Sequence, residues 1–439
     1  MTHLQPVLLV LLSGSVNPFT RSNSNMDSVQ NMTSDASLHD DVSRPSPTSQ
    51  PPNDMTSNAG FHDDTSRSSP TSQAPVYFPW DNPNNVISLH EQYITFLVLQ
   101  CGISQLLCWL GIPGNVLNMI VFVKQSLRDR INFLLFSLAV SDTIVLITLL
   151  AFRAPCYIQL VDKIMSQNVD LIMSVTLFFV TYMFSAISQV LIAIISVDRC
   201  ISVTFPLAAK RFQKFCYTAV AVSLTYVFFI GIYVPHFFRF DFIWLKDPST
   251  NHTLVLLNTT SFDAEHHDWL YATARDVNLL AIKPIISVLV VTCSVITSVQ
   301  VRRARRARED MTQSKTTSSD GKITRMLLIV SVISVSCAIP EIVIAFTNIF
   351  IPELDYYKTY HNVYLICIFI TFVALSVNSS ANFLIYVVMS SKFRATLIAL
   401  IPACGKCLKR RATRYEHGDG NTASTHLPSI SMTENSVRP

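Results

Sequence analysis

From Tyr93 to Met389 the chain is a succession of seven apolar segments, and that leaves it few ways to fold. They run Tyr93–Val123, Ile131–Cys156, Asp170–Val203, Phe215–Phe238, Val277–Val301, Ile323–Phe350 and Asn362–Met389. At 1.5 Å per residue each is long enough to cross the roughly 30 Å hydrocarbon core of a bilayer as an α-helix. Backbone in lipid must satisfy its own N–H and C=O groups, so the expected fold class is an all-α membrane protein, a bundle of seven transmembrane helices. Composition agrees where it discriminates. Of the 439 residues 50% are hydrophobic and 14% charged, whereas a soluble domain carries about 25% charged residues.

The placement of basic residues sets an orientation. Lys and Arg gather in Lys124–Arg130, Lys210–Lys214, Arg302–Arg308 with Lys322 and Arg325, and Lys392–Arg414. The chain ahead of Ile94 holds only Arg21, Arg44 and Arg67. By the positive-inside rule the N-terminus lies outside and the C-terminus in the cytoplasm, as an odd number of spans requires. A multi-pass protein of the plasma membrane is expected.

Residues 1–92 read as an extracellular tail, disordered by composition, with a signal-peptide-like stretch over 1–16. Within it MTSDASLHDDVSRPSPTSQ returns as MTSNAGFHDDTSRSSPTSQ, a tandem repeat over 32–73 that is too polar to bury a core. Asn31, Asn251 and Asn258 head N-glycosylation sequons, and the last two fall in the outer loop Arg239–Asp276. Residues 93–389 form the seven-span domain. Residues 390–408 comprise an amphipathic helix over Ser391–Ile401 and a basic segment in which Cys404 and Cys407 suit palmitoylation. A Ser/Thr-bearing cytoplasmic tail, 409–439, completes the chain. The cysteines show no zinc or redox spacing, and most sit inside apolar runs, where reduced thiols are expected.

Counting inward from the cytoplasmic ends exposes a polar layer. Asp142 in the second span and Ser188 in the third both lie about 16 Å deep on a helical rise. Asn115 of the first span and Asn378 and Asn382 of the seventh fall near that level. Asn378, Asn382 and Tyr386 are spaced by four and share a helix face. A carboxylate at that depth needs a partner, a proton or a bound cation, and an intramembrane acid is by default a functional site. A hydrogen-bonded clamp between helices is the bland alternative. Near the inner end of the third span stands a second costly group, Asp198-Arg199.

The segments GIPGNVLNMIVF from Gly111, SLAVSDTIVL from Ser137, SVDRCISVTFPL from Ser196, CAIP from Cys337 and NSSANFLIY from Asn378 come one per expected helix and in order. They resemble the signature segments of rhodopsin-like (class A) G-protein-coupled receptors, with a likeness to invertebrate peptide-type and molluscan chemosensory members. The resemblance covers roughly Tyr93 to Leu408. It implies that Arg199 pairs with Asp198 at rest and faces a heterotrimeric G protein when active. Asp320 would assist that pair, Pro340 would kink the sixth helix, and Tyr386 would swing inward on activation. Asn115, Asp142, Ser188, Asn378, Ser379 and Asn382 would form the polar layer that holds a structural sodium ion. Arrestin and a receptor kinase would act at the C-terminal tail.

The chain also departs from the pattern. Cys200 stands where Tyr is usual, Phe383 where proline is usual in the seventh helix, and Ala338 in place of a tryptophan. Ser174 occupies the place of a cysteine at the head of the third helix, and Arg239–Asp276 contains none. No extracellular disulfide and a mobile outer loop are therefore expected.

The ligand is read as an extracellular peptide or small chemosensory molecule. Thr181, aligned with the acid of amine receptors, argues against an amine. The absence of lysine from Val363–Met389 argues against a retinal Schiff base. The outer half offers Arg153, Thr181, His236, Arg239, Lys283 and Glu341 as ligand contacts, with Glu341 and Arg153 leading. An orphan or constitutively active receptor is the nearer alternative. A transporter is the different-class one, but no internal repeat spans the helices. No catalytic constellation points to an enzyme, and no nucleic-acid partner is expected.

Overall fold

The computed structural model describes residues 85–207, 214–246, 252–311, 319–356 and 358–400, with Pro79, Asn82, Ala209 and Pro248. The signal-like segment, the repeat, Asn31, Asn251, Cys404, Cys407 and the tail 409–439 lie outside the described residues.

Seven helices are long and apolar enough to span a membrane: α1 (Leu89–Lys124), α2 (Arg130–Ile158), α3 (Lys163–Thr204), α4 (Phe215–Phe238), α5 (Val277–Ala304), α6 (Ile323–Phe350) and α7 (His361–Met389). A short helix, α8 (Ser391–Leu400), follows and buries Phe393. The expected bundle is present, and the chain is a multi-pass membrane protein.

Local chemistry sets the ends of these helices. The Ser88 hydroxyl accepts from the Glu91 backbone N–H while the Glu91 carboxylate accepts from the Ser88 backbone N–H, a reciprocal cap that starts α1. Asp129 caps α2 through the Ile131 N–H, and Asp162 caps α3 through that of Met165. The long third helix ends at Thr204, just ahead of Phe205-Pro206, because a residue before proline is pushed out of the helical region. Its 42 residues reach about 63 Å, so its outer turns stand clear of the hydrocarbon. There they meet the outer loop.

That loop is a structured one. Strands β1 (Phe240–Lys246) and β2 (Thr253–Thr259) pair antiparallel, from Phe240 opposite Thr259 to Lys246 opposite Thr253. Val255 and Leu257 pack on Leu171 and Val175 of α3. The Asn168 side chain completes the seam, donating to the Thr253 carbonyl at 2.6 Å and accepting from the Val255 N–H at 3.0 Å. An amide thus holds the loop that a covalent bridge at Ser174 would otherwise hold, which corrects the expectation of an untethered loop. A helix over Ser261–Tyr271 then leads into α5.

The expectation of no disulfide is also corrected. Cys101 of α1 and Cys156 at the outer end of α2 are bonded, with Cα atoms 5.8 Å apart. The bridge lies against Phe96, Leu365 and Phe369, so it staples α1 to α2 beside α7. Both cysteines sit in apolar runs, where the sequence alone reads as buried thiol.

Candidate functional site

The polar layer assembles as the depth count requires. Asp142 is fully buried. Its Oδ1 accepts from the Ser188 hydroxyl and its Oδ2 from the Asn382 amide, each at 2.7 Å. Asn115 donates to the Ser379 carbonyl at 2.8 Å and receives Asn118 on its own Oδ1 at 3.1 Å. Four helices are knitted at one level. Asn378 is buried one turn along α7, and no hydrogen bond joins it to Asp142 among the described residues. The Ser379 and Tyr386 hydroxyls are buried, with no hydrogen-bond partner by distance and angle among the described residues. Tyr386 packs its ring edge-on to Phe122, centroids 5.5 Å apart, and against Phe393 of α8. The oxygens of Asp142, Ser188, Ser379 and Asn382 are the hard donors a sodium ion takes, with one carboxylate to match one charge. The described residues contain no cluster of three or more acidic, His or Cys side chains suited to a metal.

At the inner end, Arg199 lies along Asp198, its Nη2 donating to Oδ2 at 2.8 Å and its Nε at 3.2 Å. The other carboxylate oxygen is taken by Arg130, the first residue of α2, in a contact the sequence reading missed. Arg130 falls in the basic cluster ahead of α2, where it reads as an ordinary membrane-boundary charge. Beside Arg199 lies a narrow crevice between α3, α5 and α6, lined by Ser196, Ser294, Thr297, Thr324 and Ser331. Asp320 lies in the helix Ser319–Phe350, but its side chain is outside the described residues.

The outer candidates separate into distinct groups. Arg153 does not snorkel. It is buried with its guanidinium over Phe152 at 4.1 Å and Phe96 at 5.3 Å, and its Nε donates to Gln100 Oε1 at 3.2 Å. Thr181 is buried, its hydroxyl meeting that of Thr148 at 2.9 Å, so it serves the contact between α2 and α3. Arg239 forms an ion pair with Asp263, Nε to Oδ1 2.6 Å. Glu341 pairs with Lys283 across α6 and α5. Glu341 and Arg153, the two leading candidates, are thus engaged by different partners in different clusters. His236 is 1% exposed, stacks on Phe179 at 4.7 Å, and finds no hydrogen-bond partner for either ring nitrogen among the described residues.

The bundle thus has seven membrane-spanning helices, a buried acid at mid-depth and an arginine-held acid at one mouth. The family model described as 7 transmembrane receptor (rhodopsin family) matches residues 114–386, and the chain belongs to that family. Among similar proteins, the FMRFamide receptor of Drosophila melanogaster is 24% identical over 336 residues, covering 74% of this chain and 56% of that protein. The chain therefore spans little more than half the length of its fly relative. The probable G-protein coupled receptor frpr-1 of Caenorhabditis elegans is 23% identical over 369 residues, 77% of this chain and 86% of that one. The likeness to invertebrate peptide-type receptors holds.

Proposed function

We propose that this protein is a plasma-membrane receptor, N-terminus outside, that takes a peptide into the outer half of its bundle and activates a heterotrimeric G protein inside. The observation that carries this reading is the inner mouth. Asp198 is buried between Arg199 and Arg130, beside a narrow crevice bounded by the helix that holds Pro340. An acid held this way keeps a bundle closed until something outside shifts its two-state equilibrium. The fly relative's name supports a peptide of the FMRFamide kind as the ligand. Glycans at Asn31, Asn251 and Asn258, palmitate at Cys404 and Cys407, and kinase and arrestin action on the tail 409–439 belong to the same proposal. So does a sodium ion held by Asp142, Ser188, Ser379 and Asn382, whose role would be to neutralise the buried carboxylate at rest.

The test is to express the full chain in cells, apply synthetic FMRFamide and a panel of short amidated peptides, and record G-protein dissociation, calcium and cAMP. A saturable response that Arg199→Ala removes at unchanged surface level is expected. Signalling that is normal in Arg199→Ala, or no response to any peptide, overturns the reading.

A further inference from the structure

Lys283 and Glu341 form a buried ion pair, Nζ to Oε1, in the outer half of the bundle. Glu341 directly follows Pro340, where α6 loses a backbone hydrogen bond. The two ends of the pair are unequal. The Lys283 side chain is 1% exposed and that of Glu341 12%, so an incoming group meets the carboxylate first. The surroundings are aromatic. The Tyr182 ring faces Lys283 Nζ at 5.3 Å, and both Tyr182 and Tyr233 lie within electrostatic reach of Glu341. Next to Tyr233, ring centroids 5.9 Å apart, stands His236, whose ring nitrogens have no hydrogen-bond partner among the described residues.

A buried ion pair is a poor way to gain stability, because desolvating two charges cancels most of their attraction. It is a good way to build a contact that can change partners. A carboxylate whose present cation already lies over the Tyr182 ring suits a guanidinium or ammonium group in that cation's place. We propose that Lys283–Glu341 is a latch between α5 and α6, and that a cationic group of the ligand opens it by taking Glu341 from Lys283. The released helix is the one that carries Pro340, so opening acts beside the position where α6 lacks a backbone hydrogen bond. This rests on the peptide-receptor reading, and it adds the chemistry of the ligand group and the residue that receives it.

Single substitutions are ambiguous, since each strands a buried partner, so the deciding variant is the exchanged pair Lys283→Glu with Glu341→Lys. Surface level, ligand-free G-protein dissociation and FMRFamide potency are measured for it, for Lys283→Glu, for Glu341→Lys and for Glu341→Gln. FMRFamide is paired with an analogue carrying citrulline, the neutral counterpart of arginine. The single variants should raise ligand-free signalling per receptor at the surface, and the exchanged pair should return it to the wild-type level. Potency of FMRFamide on the exchanged pair should stay down at least about tenfold, or about 1.4 kcal/mol, while the citrulline analogue should be weak on wild type and exchanged pair alike. Failure of the exchange to restore ligand-free signalling overturns the latch. Full recovery of potency in the exchanged pair makes it a plain clamp and overturns the cation step. Should FMRFamide be silent on wild type, the peptide assignment falls first. Arginine- and lysine-bearing peptides are then compared with their neutral counterparts. Agonists confined to neutral peptides, or none at all, overturn the cation step, and ligand-free signalling still decides the latch.

Discussion

Asp198 accepts from two arginines on two helices, and this splits a job that the sequence assigns to the adjacent Arg199 alone. Side-chain exposure is 20% at Arg130, 15% at Arg199 and 9% at Asp198, so solvent screens both pairs in part. Each is worth at most about 1 kcal/mol, a factor of about five in a two-state equilibrium. Arg130→Gln should therefore raise ligand-free signalling by up to a few-fold, and Asp198→Asn, which frees both arginines, should raise it more. G-protein dissociation without ligand, at matched surface level, measures both. An Arg130→Gln receptor as quiet as wild type would reduce Arg130 to a boundary charge. The Asp198–Arg199 half of this arrangement was legible because the two are neighbours in the chain, and Asp142, Ser188 and Asn382 because helical rise converts sequence position into depth. Arg130 was not. Its partner is 68 positions away, and nothing local marks which boundary arginine turns inward.

Among the elements, α1 and α7 touch because two glycines let them. A Cβ on Gly111 would stand 2.7 Å from the Cβ of Ser380, and one on Gly114 would stand 2.9 Å from the Cβ of Phe383. The residue in the usual proline position thus packs directly on α1, which gives Phe383 a structural reason. The hairpin depends on a smaller device. Asn168 supplies two hydrogen bonds that join β2 to α3, a donor to Thr253 and an acceptor for Val255. Leaving the Val255 N–H without its acceptor costs about 1–3 kcal/mol, enough to loosen a two-stranded sheet that is marginal by itself. Asn168→Ala should expose the loop, read as faster cleavage between β1 and β2 by protease added to intact cells. Cleavage at the wild-type rate would assign the anchoring to the apolar seam of Leu171, Val175, Val255 and Leu257. Spans were legible here, since length and hydropathy define them. Tertiary fastenings were not, because an asparagine one turn outside the lipid and two cysteines in apolar runs look like ordinary helix residues until their partners are placed.

Over the whole molecule, three polar centres are stacked along the bundle: Lys283–Glu341 outside, Asp142 in the middle and Asp198 within. The middle and inner centres share two helices, α2 supplying Asp142 and Arg130 and α3 supplying Ser188 and Asp198, whereas the outer pair joins α5 to α6. A shift of α2 or α3 at one of the two lower centres is therefore felt at the other, and that is the physical content of coupling between sites. The middle centre provides the test. Asp142 already accepts two hydrogen bonds, and the Ser379 and Tyr386 hydroxyls are buried near it, so the layer is polar enough for a further guest. If sodium is that guest at rest, it favours the closed bundle. An agonist then binds less tightly in sodium than in a bulky organic cation of equal ionic strength. Coupling free energies of about 1–3 kcal/mol are typical, so the expected change is about 5- to 150-fold, and linkage makes it reciprocal. Asp142→Asn keeps the shape and removes the charge, exchanging one acceptor oxygen for an NH2 that the Ser188 hydroxyl can accept, and should leave agonist affinity the same in both buffers. Affinity indifferent to sodium in the unmutated receptor would make the layer a hydrogen-bonded clamp. Asp142→Asn would then act only through the packing of α2, α3 and α7.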